Sequence, residues 1–252
     1  MTMLARPCGD ISYHVHGSGP AVLLSHGYGA TSAMFAPNLR ALAGHQVITW
    51  DLRGHGASQS PADPACYSAA NAMADMEALL DEHNIASAVL GGHSLGGYLS
   101  LSFALAYADL VRALVLIGTG PGFRKEEARD AWNRRALGTA GQVAERGVAA
   151  LGDSSELHGG THADVQGLVL AARGTLTQHD AHVIDGLPDI AVPALIVVGE
   201  NDTHFLAAAD YMAAKMPAAR KVVIPGAGHA PNIDQPEAFN AELATFLSEI
   251  PA

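Results

Sequence analysis

The sequence contains few basic residues and almost no cysteine. Only 14 of its 252 residues are lysine or arginine, against 25 aspartates and glutamates, and the formal net charge is −11. Because phosphate contacts need clustered cations, this balance argues against a nucleic-acid partner and against an anionic membrane surface. Cys8 and Cys66 are the only cysteines, too few for a disulfide framework, which favours a reduced cytoplasmic setting.

Long hydrophobic runs are also absent. No apolar stretch reaches the roughly 18–20 residues that a membrane-spanning helix needs. Residues 1–7 lack the apolar core of a signal peptide, so we expect a cytoplasmic protein with no membrane partner. Hydrophobic residues still make up 49% of the chain, which is ample for the core of one large α/β domain.

Short apolar runs alternate with helix-like stretches along most of the chain. The predicted strands cover 11–16, 21–24, 46–50, 88–90, 110–116, 194–198 and 221–224. The predicted helices cover 33–42, 68–83, the residues that follow 95, 205–216 and 238–250. This alternation predicts an α/β fold, with a mainly parallel sheet of about eight strands covered by helices on both faces.

The alternation is interrupted between residues 123 and 180. Spaced apolar residues there indicate amphipathic helices, and no continuous apolar strand is visible. We therefore predict a small helical cap at 123–180, inserted after the sixth strand, with 1–122 and 181–252 forming the core domain. Ligands of parallel sheets bind beyond the carboxyl ends of the strands, which is where the polar clusters of this chain fall.

The segment GHSLG at 92–96 follows an apolar strand and precedes a helix-like stretch. A serine on such a sharp turn holds its hydroxyl above the sheet edge, and the flanking glycines allow two crowded elements to pass. Ser94 is therefore the candidate nucleophile. The motif alone is weak evidence in a glycine-rich chain, so the assignment depends on its partners.

A serine hydroxyl needs a base to take its proton and an acid to orient that base. His229 lies in a glycine-rich loop after the last predicted strand and is the candidate base, with His204 as its rival. Asp202 comes just after the strand at 194–198 and is the candidate acid, with Glu200 as its competitor.

Attack on a carbonyl creates a negative oxygen that needs preorganised donors. The backbone N–H of Leu95, at the start of the helix after the candidate nucleophile, is the first expected donor. The N–H of Tyr28, in the HGYG turn at 26–29, is the second.

The order Ser94, Asp202, His229, together with the His-Gly turn at 26–27 and the helical insertion, resembles the α/β-hydrolase fold family over essentially the whole chain. The resemblance implies cleavage of a small-molecule carboxylic ester or lactone through an acyl-serine, with no cofactor and no metal. Cofactor-free peroxidases, C–C bond hydrolases and a non-catalytic ligand-binding module are the alternatives.

Two branches of that family fit the sequence less well. Epoxide hydrolases and dehalogenases use an aspartate nucleophile, whereas position 94 is serine. The C–C hydrolases that resemble this chain often carry tryptophan directly after the catalytic histidine, where this chain has Ala230.

The loop DLRGHGAS at 51–58 resembles one that is frequent in the same family. We expect it to shape the floor beside the HGYG turn, with Arg53 and His55 as packing and hydrogen-bonding residues. In the predicted cap, Trp132 is expected either to line an acyl pocket or to pack the insertion.

Several histidines invite a metal-binding interpretation. His158 and His162 are spaced four residues apart, with Asp164 nearby. Histidines beside glycines in a solvent-facing insertion are more often polar surface than ligands, so we expect surface residues here. The same expectation applies to His179 and His182.

Overall fold

A computed structural model describes residues 1–251. Eight strands form one sheet: β1 Thr2–Leu4, β2 Ile11–His16, β3 Ala21–Ser25, β4 Gln46–Trp50, β5 Ala88–His93, β6 Val111–Ile117, β7 Ala194–Gly199 and β8 Ala219–Ile224. Their order across the sheet is β1-β2-β4-β3-β5-β6-β7-β8. Only the β1–β2 and β2–β4 pairs of the described sheet are antiparallel, so the predicted fold class is confirmed.

Helices cover both faces of the sheet. Within residues 1–251 they are α1 Ala69–Glu82, α2 Leu95–Ala106, α3 Glu126–Arg146, α4 Val165–Arg173, α5 His182–Gly186, α6 Leu206–Lys215, α7 Pro231–Asp234 and α8 Pro236–Ser248. Met76 of α1, Leu99 of α2 and Met212 of α6 are fully buried on one face. Phe239 and Leu243 of α8 belong to the core on the other face. No helix in this part of the chain is long and apolar enough to cross a membrane.

The helix predicted over 33–42 is wrong in type and extent. The chain forms a 3₁₀-helix at Ser32–Asn38, and turns follow it. Pro37 lies inside this helix. It lacks an amide donor and its ring clashes with the preceding turn, so a regular α-helix cannot run through it.

The insertion after β6 is helical, as predicted. Its helices α3 and α4 share a small apolar core made of Ala140, Val143, Leu168, Val169 and Ala172. The partly buried Tyr28 ring packs against both this cluster and the main core. The insertion therefore lies over the loop that follows β3, although the division into domains at 122 and 180 stays a prediction.

The fold brings the carboxyl ends of six strands to one edge. Strands β3 to β8 all run in the same direction. The predicted site residues Tyr28, Ser94 and Asp202 lie in the loops that follow three of them, and His229 follows β8. Side chains that are distant in sequence are therefore placed in one region.

Candidate active site

Ser94 occupies a strained turn between β5 and α2. Its backbone has φ 51° and ψ −113°, a region that side-chain-bearing residues rarely adopt. The Ser94 amide donates to the Ile117 carbonyl at 2.9 Å. The Ser94 carbonyl accepts the Thr119 hydroxyl at 2.6 Å, as well as two amides of α2. The turn is therefore held on both sides while the Ser94 side chain remains partly exposed.

Two glycines make this turn sterically possible. A Cβ on Gly92 would lie 2.2 Å from the carbonyl carbon of Gly96. A Cβ on Gly96 would lie 2.0 Å from the Ser25 carbonyl oxygen at the end of β3. Since backbone atoms cannot move aside cheaply, only glycine allows β5, α2 and β3 to meet here.

The predicted acid and base are brought together. The Nδ1 atom of His229 lies 2.7 Å from Oδ2 of Asp202. The Asp202 side chain is 5% exposed and the His229 side chain 28% exposed. Because the carboxylate accepts the Nδ1–H, Nε2 of His229 is left to act as a base toward the cavity.

The two rivals are placed differently. Glu200 is exposed, and its carboxylate accepts the Gly226 amide at 2.9 Å in the loop before His229. His204 is exposed and lines the cavity, but makes no hydrogen bond to Asp202 within residues 1–251. The arrangement therefore favours Asp202 over Glu200 and His229 over His204.

The His229 ring is packed on two sides. Phe205 stacks on it with ring centroids 5.0 Å apart, and His93 meets it edge-on at 4.7 Å. The Nε2–H of His93 donates to the His229 carbonyl at 3.1 Å. Burial, followed by the nearby His229, holds the pKa of His93 well below its usual range, so this ring is neutral. It supports His229 without competing for a proton.

The Tyr28 amide lies in a turn with fixed carbonyls. Ala30 donates to the Gly27 carbonyl at 3.1 Å, and Nδ1 of His26 donates to the same oxygen at 2.7 Å. The Gly27 carbonyl and the Tyr28 N–H belong to one planar peptide, so fixing one fixes the other. The Tyr28 hydroxyl also donates to the Leu168 carbonyl at 3.0 Å.

Leu95 is the first residue of α2, where a helix amide has no intrahelical acceptor. Neither the Leu95 N–H nor the Tyr28 N–H has an acceptor among residues 1–251. Both amides are therefore available to an oxygen that develops negative charge, and the helix N-terminus adds a favourable dipole.

A cavity of about 560 Å³ adjoins Leu95, whereas Tyr28 is not among its lining residues. Ser94, Asp202 and His229 line it at the sheet edge. Its other lining residues are Leu95, Tyr98, Thr119, Gly120, Pro121, Gly122, Phe123, Trp132, Arg135, Leu176, Gln178, His204, Phe205 and Ala208. Trp132 both lines the cavity and packs the insertion, because its Nε1–H donates to the Leu176 carbonyl at 2.8 Å.

Arg53 and His55 lie in the loop that follows β4. The Arg53 guanidinium binds both carboxylate oxygens of Asp75, at 2.8 and 2.6 Å. The His55 ring is buried, and its Nδ1 donates to the Arg53 carbonyl at 3.2 Å. Both residues pack and hydrogen-bond as expected and do not line the cavity.

The expectation that His162 is a surface residue is wrong. It is half-buried and hydrogen-bonded to Gly29 and Gly56, because the insertion folds down onto the loop after β3. His158 is exposed and pairs with Asp153 at 2.7 Å. Within residues 1–251 no group of three or more His, Cys, Asp or Glu side chains is arranged to hold a metal.

Thr119 and His93 support the site but were not predicted from sequence. Thr119 lies in the loop that follows β6. Its position after a strand was the available signal. His93 lies next to Ser94, and nothing in the sequence indicates that it reaches the His229 loop.

Several named hydrolases are similar to this chain over most of its length. A pimeloyl-(acyl-carrier protein) methyl ester esterase of Chromobacterium violaceum is 32% identical over 252 residues, covering 92% of this chain and 95% of that protein. A 2-(acetamidomethylene)succinate hydrolase of Mesorhizobium japonicum is 30% identical over 254 residues, covering 92% and 89%. The crystal structure of the enol-lactonase from Burkholderia xenovorans LB400 has a TM-score of 0.79 and 25% identity, covering 98% and 100%. The model of the alpha/beta hydrolase family matches residues 22–242, and the chain belongs to that family.

Proposed function

We propose that this protein is a serine hydrolase that cleaves a carboxylic ester or a lactone through an acyl-serine intermediate. The observation that carries the proposal is that the strained turn at Ser94 and the Asp202–His229 hydrogen bond border one cavity. A methyl ester esterase and an enol-lactonase among the similar proteins support the bond type.

In the first half-reaction, Nε2 of His229 takes the Ser94 proton while Oγ bonds to the carbonyl carbon. The carbonyl electron pair moves onto oxygen, where the N–H groups of Leu95 and Tyr28 stabilise the charge. Collapse of this intermediate breaks the C–O bond, and His229 returns the proton to the leaving alkoxide. In a lactone the alcohol stays attached to the acyl group.

In the second half-reaction, His229 takes a proton from water, whose oxygen attacks the acyl carbon. The same two amides hold the second oxyanion, and its collapse returns the proton to Ser94 and releases the acid. Asp202 keeps the imidazole in one tautomer and stabilises the imidazolium in both steps.

The cavity suits a small organic ester. Trp132, Phe123 and Leu176 give it an apolar wall, so a hydrocarbon or aromatic group gains from being buried there. Burial raises the pKa of Tyr98 to about 12, so this hydroxyl stays neutral at the cavity wall.

The test is turnover of 4-nitrophenyl acetate, together with labelling by a fluorophosphonate probe. Ser94→Ala is expected to abolish both, whereas wild type gives both. His229→Ala should lose at least about 10³-fold in kcat. His204→Ala tests the rival base, and its kcat should fall far less than that of His229→Ala.

Full activity in Ser94→Ala overturns the proposal. Labelling of wild-type Ser94 without multiple turnovers, over a panel of esters and lactones, identifies a ligand-binding module instead.

A further inference from the structure

A histidine of the insertion holds the turn that carries the Tyr28 amide. His162 lies in the loop before α4. Its Nε2–H donates to the Gly29 carbonyl at 3.0 Å, and its Nδ1 accepts the Gly56 amide at 3.1 Å. These two partners admit only one tautomer, because a carbonyl must accept and an amide must donate.

A chain of peptide planes and one further hydrogen bond links the Gly29 carbonyl to the Tyr28 amide. The Gly29 carbonyl shares its peptide with the N–H of Ala30, which donates to the Gly27 carbonyl at 3.1 Å. The Gly27 carbonyl shares its peptide with the N–H of Tyr28. Each trans peptide is planar, so an oriented carbonyl orients the amide opposite it. Hydrogen bonds in such a chain also polarise one another.

We infer that His162 is a positioning residue for the Tyr28 amide, an inference that rests on the proposed serine hydrolase function. His162 acts on the Tyr28 amide through the hydrogen bonds of the turn, and its side chain is not among those that line the cavity. Through His162, the contact of the insertion with the core fixes the orientation of the Tyr28 amide.

The segment around His162 is fitted closely to its neighbours. The Ala163 amide donates to the Gly56 carbonyl at 3.0 Å, which gives Gly56 two hydrogen bonds to the insertion. A Cβ on Gly160 would lie 2.5 Å from Oγ1 of Thr31, just after the turn. A Cβ on Gly29 would lie 3.0 Å from Leu151. The loop that carries His162 therefore packs closely against the turn that carries Tyr28.

The surroundings of His162 favour its neutral form. Its ring meets the buried His55 ring edge-on, with centroids 5.8 Å apart. Burial lowers the pKa of His162, and the Gly29 carbonyl and the Asp51 carboxylate oppose that shift. Only the neutral ring has an Nδ1 lone pair for the Gly56 amide.

Three variants test this role on 4-nitrophenyl acetate. His162→Phe fills the same space without either hydrogen bond, and should lower kcat about ten-fold while KM changes less than about two-fold. His162→Gln carries both a donor and an acceptor, so it should restore kcat to within about three-fold of wild type. His158→Ala, in the same loop but with an exposed side chain, should match wild type.

A second measurement separates positioning from packing. An aryl trifluoromethyl ketone forms a serine adduct whose oxyanion needs the Tyr28 amide, so its inhibition constant should rise with His162→Phe in parallel with the fall in kcat. The matched methyl ketone should bind unchanged. If the Phe variant does not fold, His162→Ala replaces it.

Unchanged kcat in a folded variant that lacks both hydrogen bonds overturns the inference. So does an equal loss in His162→Gln or in His158→Ala. Retained activity in Ser94→Ala is a different result, because it refutes the hydrolase mechanism itself.

Discussion

Single hydrogen bonds decide which nitrogen of each site histidine carries a proton. The Asp202 carboxylate places it on Nδ1 of His229, and the Gly56 amide excludes it from Nδ1 of His162. In His26, Nδ1 donates to the Gly27 carbonyl while Nε2 accepts the Leu52 amide at 2.9 Å. Their hydrogen bonds therefore assign the three histidines different roles: His229 is the candidate base, while His162 and His26 hold the carbonyls of Gly29 and Gly27.

Asp202→Asn is expected to lower kcat on 4-nitrophenyl acetate by about 10³-fold or more, because the amide can turn its N–H toward Nδ1 and favour the wrong tautomer. The KM should change little, since the Asp202 side chain is almost fully buried. Glu200→Gln, which alters the competing carboxylate, should stay within about two-fold. Comparable losses in the two variants would contradict the assignment of Asp202.

The sequence predicts that Ser94, Asp202 and His229 lie at one sheet edge, because each follows a short apolar strand whose end is visible in the sequence. The contacts of Thr119 and His162 could not be predicted from the sequence. Their partners, Ser94 and the Gly29 turn, are set by three-dimensional packing that leaves no periodic pattern.

Helix α3 carries two cavity residues one turn apart. Trp132 and Arg135 are spaced three residues, so they share a face of the helix, and both line the cavity. Of the lining residues in 1–251, Arg135 is the one lysine or arginine, and it makes no ion pair in that part of the chain. The cavity lining therefore places one positively charged side chain beside the aromatic ring of Trp132.

This arrangement predicts a preference for anionic esters, which can be measured as kcat/KM for 4-acetoxybenzoate relative to neutral 4-acetoxybenzamide. Arg135→Gln should lower that ratio about three-fold, a modest change because the guanidinium is exposed to solvent. Arg134→Gln makes the same charge change on a neighbouring residue outside the lining and should leave the ratio unaltered. An equal effect of both variants would mean that only overall charge matters.

The elements themselves were predictable to different degrees. Continuous apolar runs gave β3, β4 and β7 almost to the residue, because strands buried on both faces need them. The apolar residues around Ser32–Asn38 suit a longer α-helix, but Pro37 prevents one, so the pattern predicts the wrong type of helix there. The helices of the insertion were anticipated, but not how they are seated on the core.

Buried neutral histidines make the stability of the folded protein depend on pH. Burial lowers the pKa of His26 to about 4, with the Asp51 carboxylate opposing the shift. Burial also holds the pKa of His55 and of His93 well below the usual range. In the unfolded chain each would titrate near 6.5. Below that pH the unfolded state binds more protons than the folded state, so stability falls as pH falls.

Urea unfolding between pH 7 and pH 5 should therefore show a declining free energy of unfolding, with roughly 1 kcal/mol per pH unit from each such histidine near pH 5. Ordinary carboxylates stay largely ionised over this range, so they contribute little. His55→Phe removes one group that takes up a proton on unfolding, so the free energy of unfolding should decline less steeply with falling pH. His158→Asn should leave the slope unchanged. A flat profile would show that these rings are charged in the folded protein.

The conformation of Ser94 has an evolutionary consequence. Glycine would adopt φ 51° and ψ −113° at lower energy than serine does, so the fold alone does not select the hydroxyl. Under the proposed acyl-serine mechanism, a lineage that no longer needed the activity would gain stability by replacing this serine with glycine. Glycine at position 94 in a related protein with an intact core would then indicate that this protein had lost the activity.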